Sequence, residues 1–259
     1  MISKYKKRRI AWISILAFSF VIFVLLNPSA WEKDYFSDII DGVKGVFSAE
    51  AKSDDVEAIP GTNEQDLNAP LATEVLNKLE VKGRAPKTGY ARDQFYDDWP
   101  KENGCNLRQR ILKRDFGETA VLDSDNCTVI SGKYYEPYNG EFVEFGKRSD
   151  ISKNVQIDHI VALSDAWQKG AQYKSKDVRF QIATDPLNLV AADASANMQK
   201  SDGDAATWLP KNKSFRCQYV ARQISVKYKY ELWVTESEKD AMSRVLSNCP
   251  EERATGVSI

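Results

Sequence analysis

The stretch VQIDHIVALSDAW, residues 155–167, contains the only histidine in a chain of 259 residues. Apolar Val155 and Ile157 alternate with polar residues, and this alternation is typical of a strand with one buried face. His159 has the parity of those apolar residues, and Asp158 directly precedes it. A single histidine in a strand is usually a packing residue, so a chemical role for this one depends on the residues that accompany it.

A second informative stretch, DPLNLVAADASANMQKSDGD, occupies residues 185–204. LNLVAAD predicts another short strand, and SANMQKS predicts the start of a helix with Ser195 as its N-cap. The chain therefore runs from a strand that ends in Asp-His to a strand with Asn188 and then to a helix with Asn197. Lys200 lies three residues after Asn197, on the same face of that helix.

These residues supply groups that work together in hydrolysis at phosphate. Asp158 and Asn197 offer oxygen ligands that suit a hard divalent cation, with water completing its coordination shell. A neutral imidazole with a pKa of about 6.5 accepts a proton from water at neutral pH, and the cation neutralises charge that develops on a phosphate. Adjacent residues of a regular strand point to opposite faces, so Asp158 and His159 converge only if the strand ends or twists there.

This arrangement resembles the HNH endonucleases, whose ββα-metal motif has the same order of elements. The resemblance is closest to the branch found as the C-terminal nuclease domain of GmrSD-type restriction systems. Five segments between about residue 79 and residue 250 carry it: VKGRAPKTGYARDQF, NGCNLRQRILKRDF, IDHIVALSDAWQKGA, DPLNLVAADASANMQKSDGDAATWLP and KSFRCQYVARQISVKYKYELWVTESEKDAM. The resemblance implies an endonuclease that hydrolyses phosphodiester bonds of DNA, with RNA as an alternative substrate.

The same resemblance implies a role for each residue of the motif. His159 would be the general base and Asp158 a metal ligand. Asn188 would hold the middle position of the motif, where it braces the loop and orients the histidine. Asn197 stands where the family name has its last histidine and would be the second metal ligand, which favours Mg²⁺ or Mn²⁺ over zinc. No small-molecule cofactor is expected.

Three basic residues are candidates for contact with the nucleic acid. Lys200 could meet a phosphate, or it could simply solvate its helix. Arg84 belongs to KGRAPKTGYARDQF, residues 82–95, which mixes basic and aromatic side chains as a strand-tracking surface does. The alternative for this segment is a solvated loop whose aromatic side chains turn inward. Arg108 lies on a predicted helix and could face the site.

The N-terminal residues indicate export. Five basic residues within the first nine precede a seventeen-residue run at 10–26 that only two serines interrupt. A basic segment before an apolar run is typical of an export signal. Seventeen helical residues span roughly 25 Å against a hydrocarbon core of roughly 30 Å, so residues 1–30 suit either a signal peptide or a short membrane anchor. Small residues are poorly placed for cleavage near Ala30, which favours the anchor, and the basic flank places the rest of the chain outside the cytoplasmic membrane.

The remainder divides into a connecting segment and one globular domain. Residues 31–71 read as an amphipathic juxtamembrane stretch followed by an acidic linker, and residues 72–259 as the nuclease domain, beginning with the helix ATEVLNKLEV. We expect an α+β fold, with a ββα-metal core embellished by helices and preceded by the N-terminal signal or membrane-spanning helix. After the first nine residues the chain has a net charge of −6, so positive charge that meets a nucleic acid has to be local.

Four cysteines in an exported domain predict two disulfides, with four buried free thiols as the alternative. Cys217 begins one predicted helix, and Cys249 ends another that starts with a capping box at residues 235–238. A short connection makes the two helices antiparallel neighbours, so Cys217 can reach Cys249. Cys105 and Cys127 then pair by elimination. No spacing is C-x-x-C, which argues against structural zinc.

Two function classes remain open. The first is a secreted or membrane-tethered metal-dependent nuclease. The second is a catalytically silent, envelope-anchored module that binds nucleic acid or protein on the same scaffold. A silent module need not retain the full set of Asp158, His159, Asn188 and Asn197, so the intact set favours the nuclease.

Overall fold

The structure of the protein is a computed structural model, and it describes residues 68–259. The predicted signal peptide or anchor, the amphipathic stretch and most of the acidic linker lie outside the described residues. Within residues 68–259 the fold is mixed α+β, as predicted, and its strands form three small sheets. No helix within this range combines the length and the apolar character that crossing a membrane requires.

The helices and strands alternate along the chain. The helices are α1 (Ala72–Lys78), α2 (Leu107–Phe116), α3 (Arg148–Asn154), α4 (Leu163–Gln168), α5 (Lys176–Thr184), α6 (Ala194–Lys200), α7 (Arg216–Lys229) and α8 (Glu236–Leu246). The strands are β1 (Lys101–Glu102), β2 (Cys105–Asn106), β3 (Val121–Leu122), β4 (Val129–Glu136), β5 (Glu141–Phe145), β6 (Val155–His159) and β7 (Leu189–Asp193). β1 pairs with β2, β4 lies between β3 and β5, and β6 pairs with β7.

Strands β6 and β7, both expected from the sequence, form an antiparallel pair, and α6 begins directly after β7. Leu187 and Asn188 were expected in the second strand but lie in the turn before it, because Asp185 and Pro186 start a short 3-10 helix there. In the register of the two strands, His159 lies opposite Leu189 and Asp158 lies opposite Val190. β6 ends at His159, and the chain bends at residues 160–161. Two antiparallel strands followed by a helix therefore surround the only histidine.

The two faces of this sheet pack against different parts of the core. Ile157 and Ala191 lie on one face and join the apolar cluster formed with α2, β4 and β5. Val190 lies on the other face and joins the cluster formed with α1, α7 and α8. Because side chains alternate along a strand, His159 shares the face of Ile157, and Asp158 shares the face of Val190.

Two disulfides close the domain. Cys217 in the first turn of α7 is bonded to Cys249 just after α8, with their Cα atoms 6.3 Å apart. Cys105 in β2 is bonded to Cys127 just before β4, with Cα atoms 5.6 Å apart. Helix geometry predicted the pair Cys217–Cys249, and elimination then predicted Cys105–Cys127; both pairs are confirmed.

The start of α8 has half of the predicted capping box. The Thr235 hydroxyl accepts a hydrogen bond from the Glu238 amide at 3.2 Å, so the N-cap is confirmed. The second bond of the box, from the Thr235 amide to the Glu238 carboxylate, was expected and is not formed. The Glu238 carboxylate is buried instead and forms ion pairs with Lys169 and Lys227. A capping pattern fixes the position of a residue in the first turn but not the partner of its side chain.

The cap of α6 differs from the prediction as well. Asp193, and not Ser195, accepts the capping bond, at 2.9 Å from the Ala196 amide. β7 extends to Asp193 and α6 follows without a connecting loop, so Ser195 lies inside the first helical turn. Asp and Ser are both good N-caps, and the length of the strand decides between them.

Candidate active site

His159 is held by one hydrogen bond at the end of β6. Its Nε2 lies 2.9 Å from the carbonyl oxygen of Ala183, at the end of α5. A carbonyl oxygen only accepts hydrogen bonds, so Nε2 carries the proton and Nδ1 keeps its lone pair. The structure thus selects the tautomer in which Nδ1 can accept a proton.

The imidazole is buried, with 4% of its surface exposed. The pKa of His159 is lowered to about 3, first because burial removes water from the charged form and then because Arg92 and Lys200 are positive. The bond to Ala183 opposes this shift. His159 is therefore neutral throughout the physiological pH range.

Aromatic side chains from residues 92–99 cover the imidazole. The Trp99 ring lies nearly parallel to it, at an interplanar angle of 10° with 6.0 Å between centroids. The Tyr96 ring is 6.2 Å away and tilted. Arg92 donates through Nε to the Tyr96 hydroxyl at 3.1 Å. These side chains form an aromatic cover over a histidine that is almost fully buried.

The preceding part of the chain, residues 82–95, turns its aromatic side chains inward. Tyr90 and Phe95 both pack against the indole of Trp167, and Phe95 is fully buried. Lys87 forms an exposed ion pair with Asp202. The inward-turning loop, one of the two alternatives for this segment, is the one present.

Asp158 is bound to a cation and to a hydroxyl on the opposite face of the sheet. The Lys200 ammonium lies 2.9 and 3.1 Å from its two carboxylate oxygens. The Tyr138 hydroxyl donates to the same carboxylate. Burial, with the Asp158 charge adding to it, raises the pKa of Tyr138 well above its usual value, so this hydroxyl stays protonated.

The side chains of Asp158 and His159 could converge only if the strand ended or twisted there. β6 does end at His159, yet the two side chains contact different groups. Lys200 is the link between the two residues, because its ammonium also lies 2.7 Å from the His159 carbonyl oxygen. The Lys200 side chain is fully buried. The expectation that Lys200 only solvates its helix is therefore wrong.

Asn197 lies on the Asp158 side of the sheet, one turn before Lys200 in α6. Its side-chain Nδ2 donates to the side-chain oxygen Oε1 of Gln156 at 2.8 Å. Gln156 shares the parity of Asp158 in β6, so the two residues project from the same face. Asn197 is half-buried.

Asn188 is fully buried and connects the chain on both sides of His159. Its Oδ1 accepts from the Val161 amide at 2.8 Å, and its Nδ2 donates to the Ile182 carbonyl at 3.0 Å. Val161 follows the end of β6, and Ile182 precedes Ala183, whose carbonyl holds the imidazole. Asn188 therefore fixes both the strand end and the hydrogen-bond acceptor of His159.

Arg84 and Arg108 bind protein groups and remain partly exposed. Arg84 forms ion pairs with Asp165 at 3.1 Å and with Asp204 at 2.6 Å. Arg108 donates to the carbonyl of Val155, the first residue of β6, at 2.9 Å. Arg108 thus contacts the strand of the site, and Arg84 contacts the loop that follows α6.

A buried ionic cluster supports that loop and the helices around it. Three cationic and three anionic side chains meet there, and all except Arg84 are at most 3% exposed. Removing one member of such a cluster leaves an unpaired buried charge, which costs about 3–5 kcal/mol. The members are Arg84, Lys169, Lys227, Asp165, Asp204 and Glu238.

The donor set at Asp158 fits a hard divalent cation. Carboxylate and carbonyl oxygens are the ligands that Mg²⁺ and Mn²⁺ prefer, and the Lys200 ammonium already stands there as a cation. Among residues 68–259, only one group of three acidic, cysteine or histidine side chains is close enough to share an ion. It consists of Cys217, Cys249 and Glu252. Both cysteines are in a disulfide, so that group is not a metal site.

Several groups at the site carried no sequence signal. Tyr138 lies in the loop EPYNG, and nothing in that loop marks a partner of Asp158, 20 residues away. Ala183 acts through its backbone carbonyl, which every residue possesses. The aromatic composition of residues 95–99 could have indicated a packing role, but not contact with the imidazole.

Comparisons with known proteins identify a family that this chain matches. Residues 107–245 match the family described as GmrSD restriction endonucleases, C-terminal domain. A curated relative from Arthroderma benhamiae, named "Uncharacterized secreted protein", is 35% identical over 185 residues, which is 70% of this chain and 86% of the relative. No solved structure matches the chain.

Proposed function

We propose, from the premise that this chain belongs to the family of GmrSD restriction endonuclease C-terminal domains, that it is an HNH-type endonuclease. Its substrate in this proposal is DNA, with RNA as the alternative. The observation that carries the proposal is the bond between His159 Nε2 and the Ala183 carbonyl, which keeps a proton on Nε2 and leaves Nδ1 as the nitrogen that can accept one. The two strands and the helix around it would be the ββα-metal core.

His159 is the general base in this mechanism. Its Nδ1 takes a proton from water while the water oxygen forms a bond to phosphorus. One phosphorus–oxygen ester bond breaks, and the leaving oxygen takes a proton from solvent to become a hydroxyl on one product, while the other product carries a phosphate monoester. His159 then returns its proton to solvent. Asn188 is a positioning residue, because it holds Val161 and Ile182 on either side of the imidazole.

Asp158 and Asn197 are the residues that would hold the divalent cation, Mg²⁺ or Mn²⁺. When bound there, such a cation would neutralise charge that develops on the phosphate. Asp158 is buried and Asn197 is half-buried on one face of the sheet, and the His159 imidazole lies on the other face, so these groups could act on one phosphate only across the end of β6.

Arg84, Arg108 and Lys200 are the proposed contacts to the nucleic acid. Arg84 and Arg108 are partly exposed, so N–H groups that are not bound to protein can donate to a phosphate. Lys200 is fully buried and can do so only after its ammonium leaves Asp158.

We place the domain outside the cytoplasmic membrane, either secreted or anchored by the N-terminal segment. Two disulfides are typical of an oxidising compartment, and the curated relative is named as a secreted protein. These two observations agree with the basic flank of the N-terminal apolar run.

Conversion of supercoiled plasmid to nicked and linear forms tests the proposal. We expect the exported protein to nick the plasmid with Mg²⁺ or Mn²⁺ and to stop when EDTA is added. Plasmid binding without cleavage under any of these ions would instead support the silent module, in which His159 stays beneath its aromatic cover.

A further inference from the structure

Lys200 is placed in the structure as a bound cation would be. Its ammonium has three N–H donors, and three oxygens surround it: two from the Asp158 carboxylate at 2.9 and 3.1 Å and the His159 carbonyl at 2.7 Å. The side chain has no exposed surface. A buried ammonium is stable only where such oxygens replace its hydration.

The same oxygens are hard donors of the kind that divalent cations bind. An ion in contact with Asp158 would lie within a few ångströms of the ammonium, where two positive charges away from water repel strongly. Asp158 therefore cannot serve both cations in this geometry.

We infer that Lys200 and the divalent cation are alternative partners of Asp158. The ammonium neutralises the carboxylate in the metal-free protein, and metal binding displaces it. The inference rests on the proposed function, because that proposal makes Asp158 a metal ligand. Displacement does not require α6 to move, since the lysine head group lies on a flexible four-carbon stem.

This exchange has two consequences. Lys200 weakens metal binding, because the metal has to break the contacts of the ammonium before it reaches Asp158. Metal binding also releases a positive charge beside His159, and the freed ammonium is then available to a substrate phosphate.

The test compares the exported wild-type protein with Lys200→Met, which keeps the length of the stem and removes its charge. Titration calorimetry with Mn²⁺ should give a dissociation constant at least about tenfold lower for the variant, because a like charge no longer opposes the metal. Without metal the variant should melt at a lower temperature, since Asp158 loses its counter-ion. Saturating Mn²⁺ should therefore raise the melting temperature of the variant more than that of the wild type.

Two matched controls isolate the site. Lys153→Met removes an exposed lysine from α3 and should leave Mn²⁺ affinity at the wild-type value. Asp158→Asn combined with Lys200→Met removes the carboxylate as well and should abolish the gain in affinity. Tighter binding in Lys153→Met, or a persistent gain in the double variant, would overturn the inference.

A measurement on the wild-type protein covers the case in which Lys200→Met does not fold. Lysine acetylation followed by peptide mass spectrometry should find Lys200 protected without metal and reactive with Mn²⁺. Lys227, which is buried in the ionic cluster, should stay protected in both samples. Protection of Lys200 at saturating Mn²⁺ would overturn the exchange.

The outcomes separate the exchange from the function on which it rests. Equal Mn²⁺ affinities for the wild type and folded Lys200→Met would overturn the exchange and leave the metal assignment of Asp158 in place. No Mn²⁺ binding by either protein would overturn that assignment and the exchange with it.

Discussion

The buried, neutral state of His159 predicts a specific dependence of stability on pH. Replacing His159 with Gln removes the titrating group but keeps an amide that can donate to the Ala183 carbonyl. The pKa of His159 is lowered to about 3 in the folded protein, mainly by burial, and is about 6.5 in an unfolded chain. Between these values the unfolded state binds one more proton, so the free energy of unfolding falls as the pH is lowered.

The size of the effect follows from the pKa difference. Each pH unit inside this window changes the free energy of unfolding by about 1.4 kcal/mol. From pH 7.5 to pH 4.5 the wild type should therefore lose about 2.7 kcal/mol more than His159→Gln, because the window opens only below pH 6.5 or so. The carboxylates titrate in both proteins, and no second histidine contributes.

Urea denaturation followed by tryptophan fluorescence, at several pH values in EDTA, measures this difference. The two curves of unfolding free energy against pH should diverge steadily below about pH 6.5. Parallel curves would contradict the prediction, because His159 would then take up its proton as readily in the folded protein as in the unfolded chain.

Three further predictions concern the site and its support. Asn197→Ala should raise the Mn²⁺ concentration needed for half-maximal cleavage. Asn188→Ala should instead lower the cleavage rate at saturating metal, because the imidazole is then held less firmly. Identical metal titrations for the two variants would contradict this division of roles. Trp99→Ala should expose His159 and raise its pKa towards the ordinary value, which NMR can follow through the single imidazole, and an unchanged titration would argue against the aromatic cover. Reducing both disulfides should lower the melting temperature markedly. The Cys217–Cys249 bond joins residues 32 positions apart and, by restricting the unfolded chain, contributes about 3–4 kcal/mol to the free energy of unfolding. An unchanged melting temperature would argue against that contribution.

The strands and the helix around His159 were predictable because their signals are local. Alternation of apolar residues predicted β6, and LNLVAAD predicted β7, although this strand begins two residues later, at Leu189. The helices that bring Cys217 to Cys249 follow from apolar spacing and from the Thr235 cap. Each of these patterns lies within a single helix or strand, where the spacing of side chains decides which of them share a face.

The partners of the charged side chains were not predictable in the same way. Lys169 pairs with Glu238 across 69 positions, and Lys200 pairs with Asp158 across 42. Sequence patterns relate charges three or four residues apart on a helix, but not charges that the fold brings together. For that reason Glu238 was expected at a helix cap, and its place in the ionic cluster was not foreseen.

The general base, His159, is the residue on which the proposed cleavage depends most directly. The decisive measurement is the rate at which the exported protein and His159→Ala nick supercoiled plasmid at saturating Mn²⁺, with circular dichroism showing that both are folded. We predict that the variant is slower by at least about 100-fold, which is the usual scale for loss of a general base. A folded His159→Ala protein that nicks plasmid at the wild-type rate would contradict the account.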